Sequence, residues 1–196
     1  MNADSQPVLF RAGLLDGEVV VVAGAGPFGR AAATACDALG AAVSVLEANA
    51  LDEEAVSDEM HAIAERHGGV GTLVVDAAAR FAETDPELDP MRACADAAWL
   101  AARSVATGAM IEAQDGGKIV FVAPAPDAGP HAEVARAALE NLARTLSIEW
   151  ARYAIRPTAV LPGARTTEHE VSGLVTYLAS PAGDYFSGCV FSLGGP

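Results

Sequence analysis

Basic residues are scarce in this sequence. Lys and Arg together number 12 against 26 Asp and Glu, which gives a formal net charge of −14, and Lys118 is the sole lysine. A chain without a basic stripe has little with which to neutralise phosphate groups. We therefore expect neither nucleic acid nor an anionic membrane surface as a partner.

Cysteine and histidine are too few and too scattered to form a site. Cys36, Cys94 and Cys189 lie far apart and are odd in number, which suits neither a disulfide framework nor a metal cluster. The four histidines form no i, i+4 pair that would place two rings on one helix face. We predict no metal site and a reducing, cytoplasmic compartment.

Long hydrophobic runs are absent as well. No run approaches the ~18 apolar residues that a membrane span needs, and the N-terminus lacks a basic start followed by an apolar core. With 196 residues, 52% of them hydrophobic, the chain can bury one substantial core. We expect a single domain over 14–196, preceded by an extension over 1–13.

What the sequence does contain is an alternation of short apolar runs with alanine-rich stretches. The first run, 19–23, is β-branched and too short for a buried helix, so it indicates a strand covered on both faces. Strands alternating with helices predict an α/β fold with a doubly wound parallel sheet, which is Rossmann-like. The other predicted strands are 42–46, 73–75, 118–122, 158–161 and 189–193, and the main helices are about 52–67, 90–113, 133–153 and 171–178.

A glycine turn follows the first strand. Gly24, Gly26 and Gly29 satisfy G-x-G-x-x-G between a strand and a helix, and Glu47 ends the next strand roughly twenty residues on. This arrangement is typical of an NAD site, with the acidic side chain on the ribose. Pro27 removes one backbone N–H from such a site, or is an ordinary first helical residue. The alternative is that the glycines only permit a tight turn and close helix packing.

The second half of the chain carries a family resemblance. Residues 137–156, followed by 160–163, resemble the central helix and next strand of the short-chain dehydrogenases/reductases. Residues 178–181 and 185–195 resemble the C-terminal segment of the same family, so the likeness extends over 14–195. It implies a single Rossmann-like domain, and an active site of Asn, Ser, Tyr and Lys.

None of these four residues is found at the matching positions. The resemblance places Arg136 at the lysine, Ala132 at the tyrosine, Ala123 near the serine and Ala95 or a neighbour at the asparagine. Arginine stays protonated and does not exchange protons as lysine does. His131 lies ~140° from Arg136 around the helix, at about 3.6 residues per turn, so we expect it to miss the site. We predict no catalytic residue.

The resemblance also implies a shortened fold. The Asn-Asn-Ala-Gly segment of the family reads 75–78 here, which puts the anionic Asp76 beside the place of a dianionic dinucleotide. The segment 47–52 leaves no room for a further edge strand, and the chain after Thr167 omits the helical lid over the substrate. We expect no cofactor; NAD, if any, is expected at the glycine turn and Glu47.

Two helices remain as the best preserved surface. Leu139, Leu142, Leu146 and Trp150 form one apolar stripe at a spacing of three and four residues, and Trp99 offers an aromatic anchor on the preceding helix. The resemblance implies that these helices pair between subunits in a four-helix bundle. The alternative is that the stripe packs on the sheet of its own chain.

These observations predict a non-catalytic subunit that associates with a catalytically active short-chain dehydrogenase/reductase in a hetero-oligomeric oxidoreductase, or else a homo-oligomer. Two alternatives stay open: an NAD(P)-dependent oxidoreductase with an atypical active site, and a stand-alone dinucleotide or ligand sensor. Hydride transfer to a carbonyl substrate favours the first alternative, and tight NADH binding without turnover favours the second.

Overall fold

Six parallel strands form one sheet in the computed structural model, which describes residues 10–83 and 89–194. The strand that comes first in the chain is flanked in the sheet by the next two strands, one on each side of it. The later strands all add to the side of the third strand. The strands are β1 Val19–Ala23, β2 Ala42–Leu46, β3 Thr72–Asp76, β4 Gly117–Val122, β5 Ile155–Pro162 and β6 Val190–Leu193, in the order β2-β1-β3-β4-β5-β6.

Helices cover both faces of the sheet. They are α1 Pro27–Ala38, α2 Glu53–His67, α3 Ala77–Ala82, α4 Pro90–Val105, α5 Ile111–Ala113, α6 Ala132–Glu149 and α7 Glu168–Ala179. Helices α1 and α7 pack together on one face, and α2, α4 and α6 pack on the other. A π-helical turn, Ala106–Met110, joins α4 to α5.

This architecture confirms the predicted α/β fold with a doubly wound parallel sheet. Four of the five residues of β1 are buried, as expected for a strand covered on both faces. In the described chain no helix or strand lies between Leu46 and Glu53, so β2 forms one edge of the sheet.

Two helices differ from the sequence-based expectation. Helix α3 is too short to show a hydrophobic period; it forms because the side chain of Asp76 accepts the N–H of Ala79 and so caps its first turn. Helix α7 begins earlier than predicted, at Glu168, because Thr167 and Glu170 form a capping box there.

The predicted N-terminal extension is only partly described, since residues 1–9 lie outside the described residues. Leu15, just after the predicted boundary, is fully buried, and its N–H donates to the carbonyl of Leu39 at 2.9 Å. The packed core therefore includes the chain from about this point.

Among the helices of residues 10–83 and 89–194, none combines the length and apolar character that crossing a bilayer requires.

Candidate cofactor and active site

A cleft opens at the carboxyl ends of β1 and β3, where the chain changes direction across the sheet. Ligands of doubly wound folds bind in this crevice. The cavity measures about 390 Å³ and lies between the glycine turn, the end of β2, α3 and α4. Its lining is mostly alanine and glycine, with Asp76, Arg80 and Glu83 as its charged side chains.

The glycine turn lies directly against the chain that leaves β3. Gly24 has φ +96°, which only glycine adopts readily. A Cβ on Gly26 would lie 2.6 Å from both Asp76 Oδ2 and Ala79 Cβ, and a Cβ on Gly29 would overlap the Gly24 carbonyl oxygen. The glycines are therefore needed for close packing of α1 on the chain that leaves β3.

Asp76 places a carboxylate beneath this turn. Its Oδ2 accepts the N–H of Gly29 at 2.7 Å and its Oδ1 accepts the N–H of Ala79 at 3.1 Å. The side chain is almost completely buried, and burial raises the pKa of Asp76 although the two N–H groups and the charge of Arg30 act in the opposite direction. An internal anion thus occupies the N-terminus of α1.

Few donors remain there for a phosphate. The N–H of Arg30 makes the first helical hydrogen bond, to the Gly26 carbonyl at 3.0 Å. Of the three helical residues before it, Pro27 has no N–H and Gly29 donates to Asp76, so among the described residues of this terminus the free N–H groups are those of Phe28 and the N-cap residue Gly26. The pyrophosphate of a dinucleotide is held by such N–H groups, and with two of them removed this turn fits it poorly.

At the end of β2, as at the glycine turn, a carboxylate of the chain itself accepts backbone N–H groups. The backbone N–H groups of Glu47 and Ala48 donate to the carboxylate of Glu59 at 3.0 and 2.6 Å. The side chain of Glu47 is exposed at the strand end, as predicted, but Glu47 is not among the residues that line the cleft, whereas Ala48 is. A second internal carboxylate therefore takes backbone donors on the ribose side of the site.

The position that the resemblance assigns to the lysine is occupied by a side chain with a structural role. Arg136 Nη1 donates to the carbonyls of Pro124 at 2.6 Å and Pro162 at 2.7 Å, and Arg136 Nε lies 3.5 Å from a carboxylate oxygen of Glu133. The guanidinium thus joins the chain after β4 to the end of β5. Both hydrogen bonds of Nη1 go to backbone carbonyls.

The two positions that the resemblance assigns to the catalytic hydroxyls carry none. Ala123 and Ala132 are buried, and a methyl group transfers no proton. His131 precedes α6 with φ +66°, and its side chain makes no capping hydrogen bond. Burial, with a smaller effect from the Asp76 charge, raises the pKa of the Cys94 thiol to about 12, so it is no nucleophile.

Metal chemistry has no obvious ligands either. Within residues 10–83 and 89–194, no three side chains of His, Cys, Asp or Glu come together as a metal site.

The predicted interface residues divide into two groups. Leu139 and Leu146 are buried in the core of this chain, so for these two the structure corrects the interface assignment: the stripe faces the sheet, and they have no surface to offer a partner. Leu142 and Trp150 are half-buried against the same core. Trp99 is 38% exposed and stacks on Trp150 with ring centroids 6.3 Å apart.

A second stripe on α6 was not identified from the sequence. Val134 and Ile148 are 50% and 77% exposed, and the exposed residues between them on this face, Ala137, Asn141 and Thr145, carry no charge. Their spacing of three and four residues is the signal that could have shown it. We call these five residues the outer stripe of α6. An uncharged surface is unexpected on so acidic a chain.

A doubly wound sheet with a glycine turn at the crevice defines the class of dinucleotide-binding folds. Within that class, a family model described as enoyl-(acyl carrier protein) reductase matches residues 15–169. The chain belongs to this family, the short-chain dehydrogenases/reductases.

Solved structures of the family share the fold. The citronellol catabolism dehydrogenase AtuB of Pseudomonas aeruginosa PAO1 is 26% identical with a TM-score of 0.78, over 94% of this chain and 96% of that one. A short-chain type dehydrogenase/reductase from Mycobacterium marinum is 20% identical with a TM-score of 0.79, over 91% and 94%. A hydroxysteroid dehydrogenase from Escherichia coli is 17% identical with a TM-score of 0.78, over 93% and 97%. No curated protein sequence matches this chain at a significant level.

Proposed function

We propose that this protein is a non-catalytic member of the short-chain dehydrogenase/reductase family that acts as a subunit beside a catalytically active relative. The observation that carries the proposal is the Asp76 carboxylate on the Gly29 N–H, beneath the turn where relatives are expected to hold the dinucleotide. A bound pyrophosphate would compete with this internal anion for the same helix terminus. No cofactor is therefore part of the proposed function.

The surroundings of Arg136 support the absence of turnover. Carbonyl reduction in this family needs a hydroxyl that gives a proton to the substrate oxygen, and Ala123 and Ala132 have none. Arg136 is bound to two carbonyls and keeps its charge at any working pH.

The outer stripe of α6 supports the subunit role. It is uncharged and carries the exposed Val134 and Ile148, the composition of a protein interface core. The stacked Trp99 and Trp150 lie apart from it, where α4 and α6 meet and Trp150 packs against the core. Relatives are expected to pair through the corresponding helices, so an active relative is the partner with a matching shape. The active subunit would supply the cofactor and the catalytic residues, and this chain would stabilise it or shape its specificity.

Mild affinity purification of the tagged protein from its own cells, with the intact complex weighed, tests the proposal. We expect a stoichiometric short-chain dehydrogenase/reductase that carries the complete set of catalytic residues. Ile148→Lys should release this partner, since it places a charge in the outer stripe, whereas the matched Ala62→Lys on the exposed side of α2 should retain it. Recovery of a homo-oligomer alone, or equal recovery with both variants, would contradict the proposal.

A second candidate is an NAD(P)-dependent oxidoreductase with an atypical active site, favoured by the family match and by the open cleft at the switch point. Saturable NADH binding with oxidation of NADH by added carbonyl compounds would support it. NADH binding without turnover would instead support a dinucleotide sensor.

A further inference from the structure

We draw no further inference here: the strongest candidate, the polar cavity of about 500 Å³ at the amino ends of β1, β3, β4 and β5, carries none because Lys118 and Arg156, which line it, both pair with Asp184 already and nothing in the described chain shows what would occupy the space.

Discussion

Asp76 connects three elements through one side chain. It is the last residue of β3, its Oδ1 caps α3 at Ala79, and its Oδ2 holds the first turn of α1 at Gly29. A buried carboxylate is costly unless its oxygens are hydrogen-bonded. Here two backbone N–H donors reduce that cost, and the same hydrogen bonds hold the glycine turn against the chain that leaves β3.

The raised pKa of Asp76 predicts a specific pH dependence of stability. Burial raises the folded-state pKa above the unfolded carboxyl value of about 3.9. The folded state therefore binds this proton more tightly, so the contribution of Asp76 is fully present below the unfolded value and is lost as the pH rises through the folded pKa. We expect the stability of the wild type relative to Asp76→Asn, measured by urea unfolding, to fall as the pH rises from about 4 to about 7.

The asparagine variant has nearly the same shape and cannot titrate, so its difference from the wild type isolates this one group. Asp58→Asn, at an exposed position of α2, is the control and should show no comparable trend. A relative stability that rises with pH would mean that the hydrogen bonds outweigh burial and that the pKa of Asp76 is lowered.

At the residue scale, the sequence predicted where the acidic group lies but not what it binds. The family pattern placed Asp76 near the cofactor position, yet its partner Gly29 lies 47 residues away in sequence. Local patterns contain no information on such a pairing. Arg136 is a similar case, because its acceptors Pro124 and Pro162 come from two different strands' ends and are visible only once the sheet has formed.

At the scale of elements, the packing of α1 on the chain after β3 depends on glycine. A Cβ at Gly29 would overlap the Gly24 carbonyl oxygen, whereas a Cβ at Gly173, within α7, would meet nothing within 4 Å. We expect Gly29→Ala to lower the free energy of unfolding by about 1–3 kcal/mol through overpacking. Gly173→Ala should raise it by about 0.5–1 kcal/mol, because alanine favours a helix.

Urea unfolding of both variants measures this difference, and their opposite signs provide the internal control. If Gly29→Ala were as stable as the wild type, the turn would have room to move, and α1 could separate from Asp76 enough to admit a phosphate. The stability of Gly29→Ala therefore also tests whether this turn can open enough to bind the phosphates of a dinucleotide.

Elements with a strong pattern were predictable from the sequence. The all-apolar β1 and the edge strand β2 lie where their composition placed them. Helix α3 has too few residues for a hydrophobic period, and it forms because of a cap rather than an apolar face. The stripe containing Leu139 and Leu146 shows a further limit: spacing identifies the apolar face of a helix, but not whether the sheet or a partner covers it.

For the whole molecule, the net negative charge opposes self-association, whereas the uncharged outer stripe of α6 favours it. The formal charge of −14 makes two copies repel at long range. The outer stripe of α6 carries no charge, so contact through it gains no ion pairs to offset that repulsion. Self-association should therefore be weakest at low salt, where the screening length is greatest.

We expect the self-association constant of the purified chain, measured by sedimentation equilibrium, to rise about tenfold between about 20 mM and about 500 mM NaCl as repulsion is screened. Association with a less acidic active relative should change much less, because the product of the two charges is smaller.

Ile148→Lys should abolish both associations through the stripe. Ala62→Lys changes the net charge equally but lies on α2, so it should leave them intact. If self-association instead weakened as salt was added, the interface would contain paired charges and would not be the outer stripe of α6. That result would contradict the proposal that an active relative binds through the outer stripe.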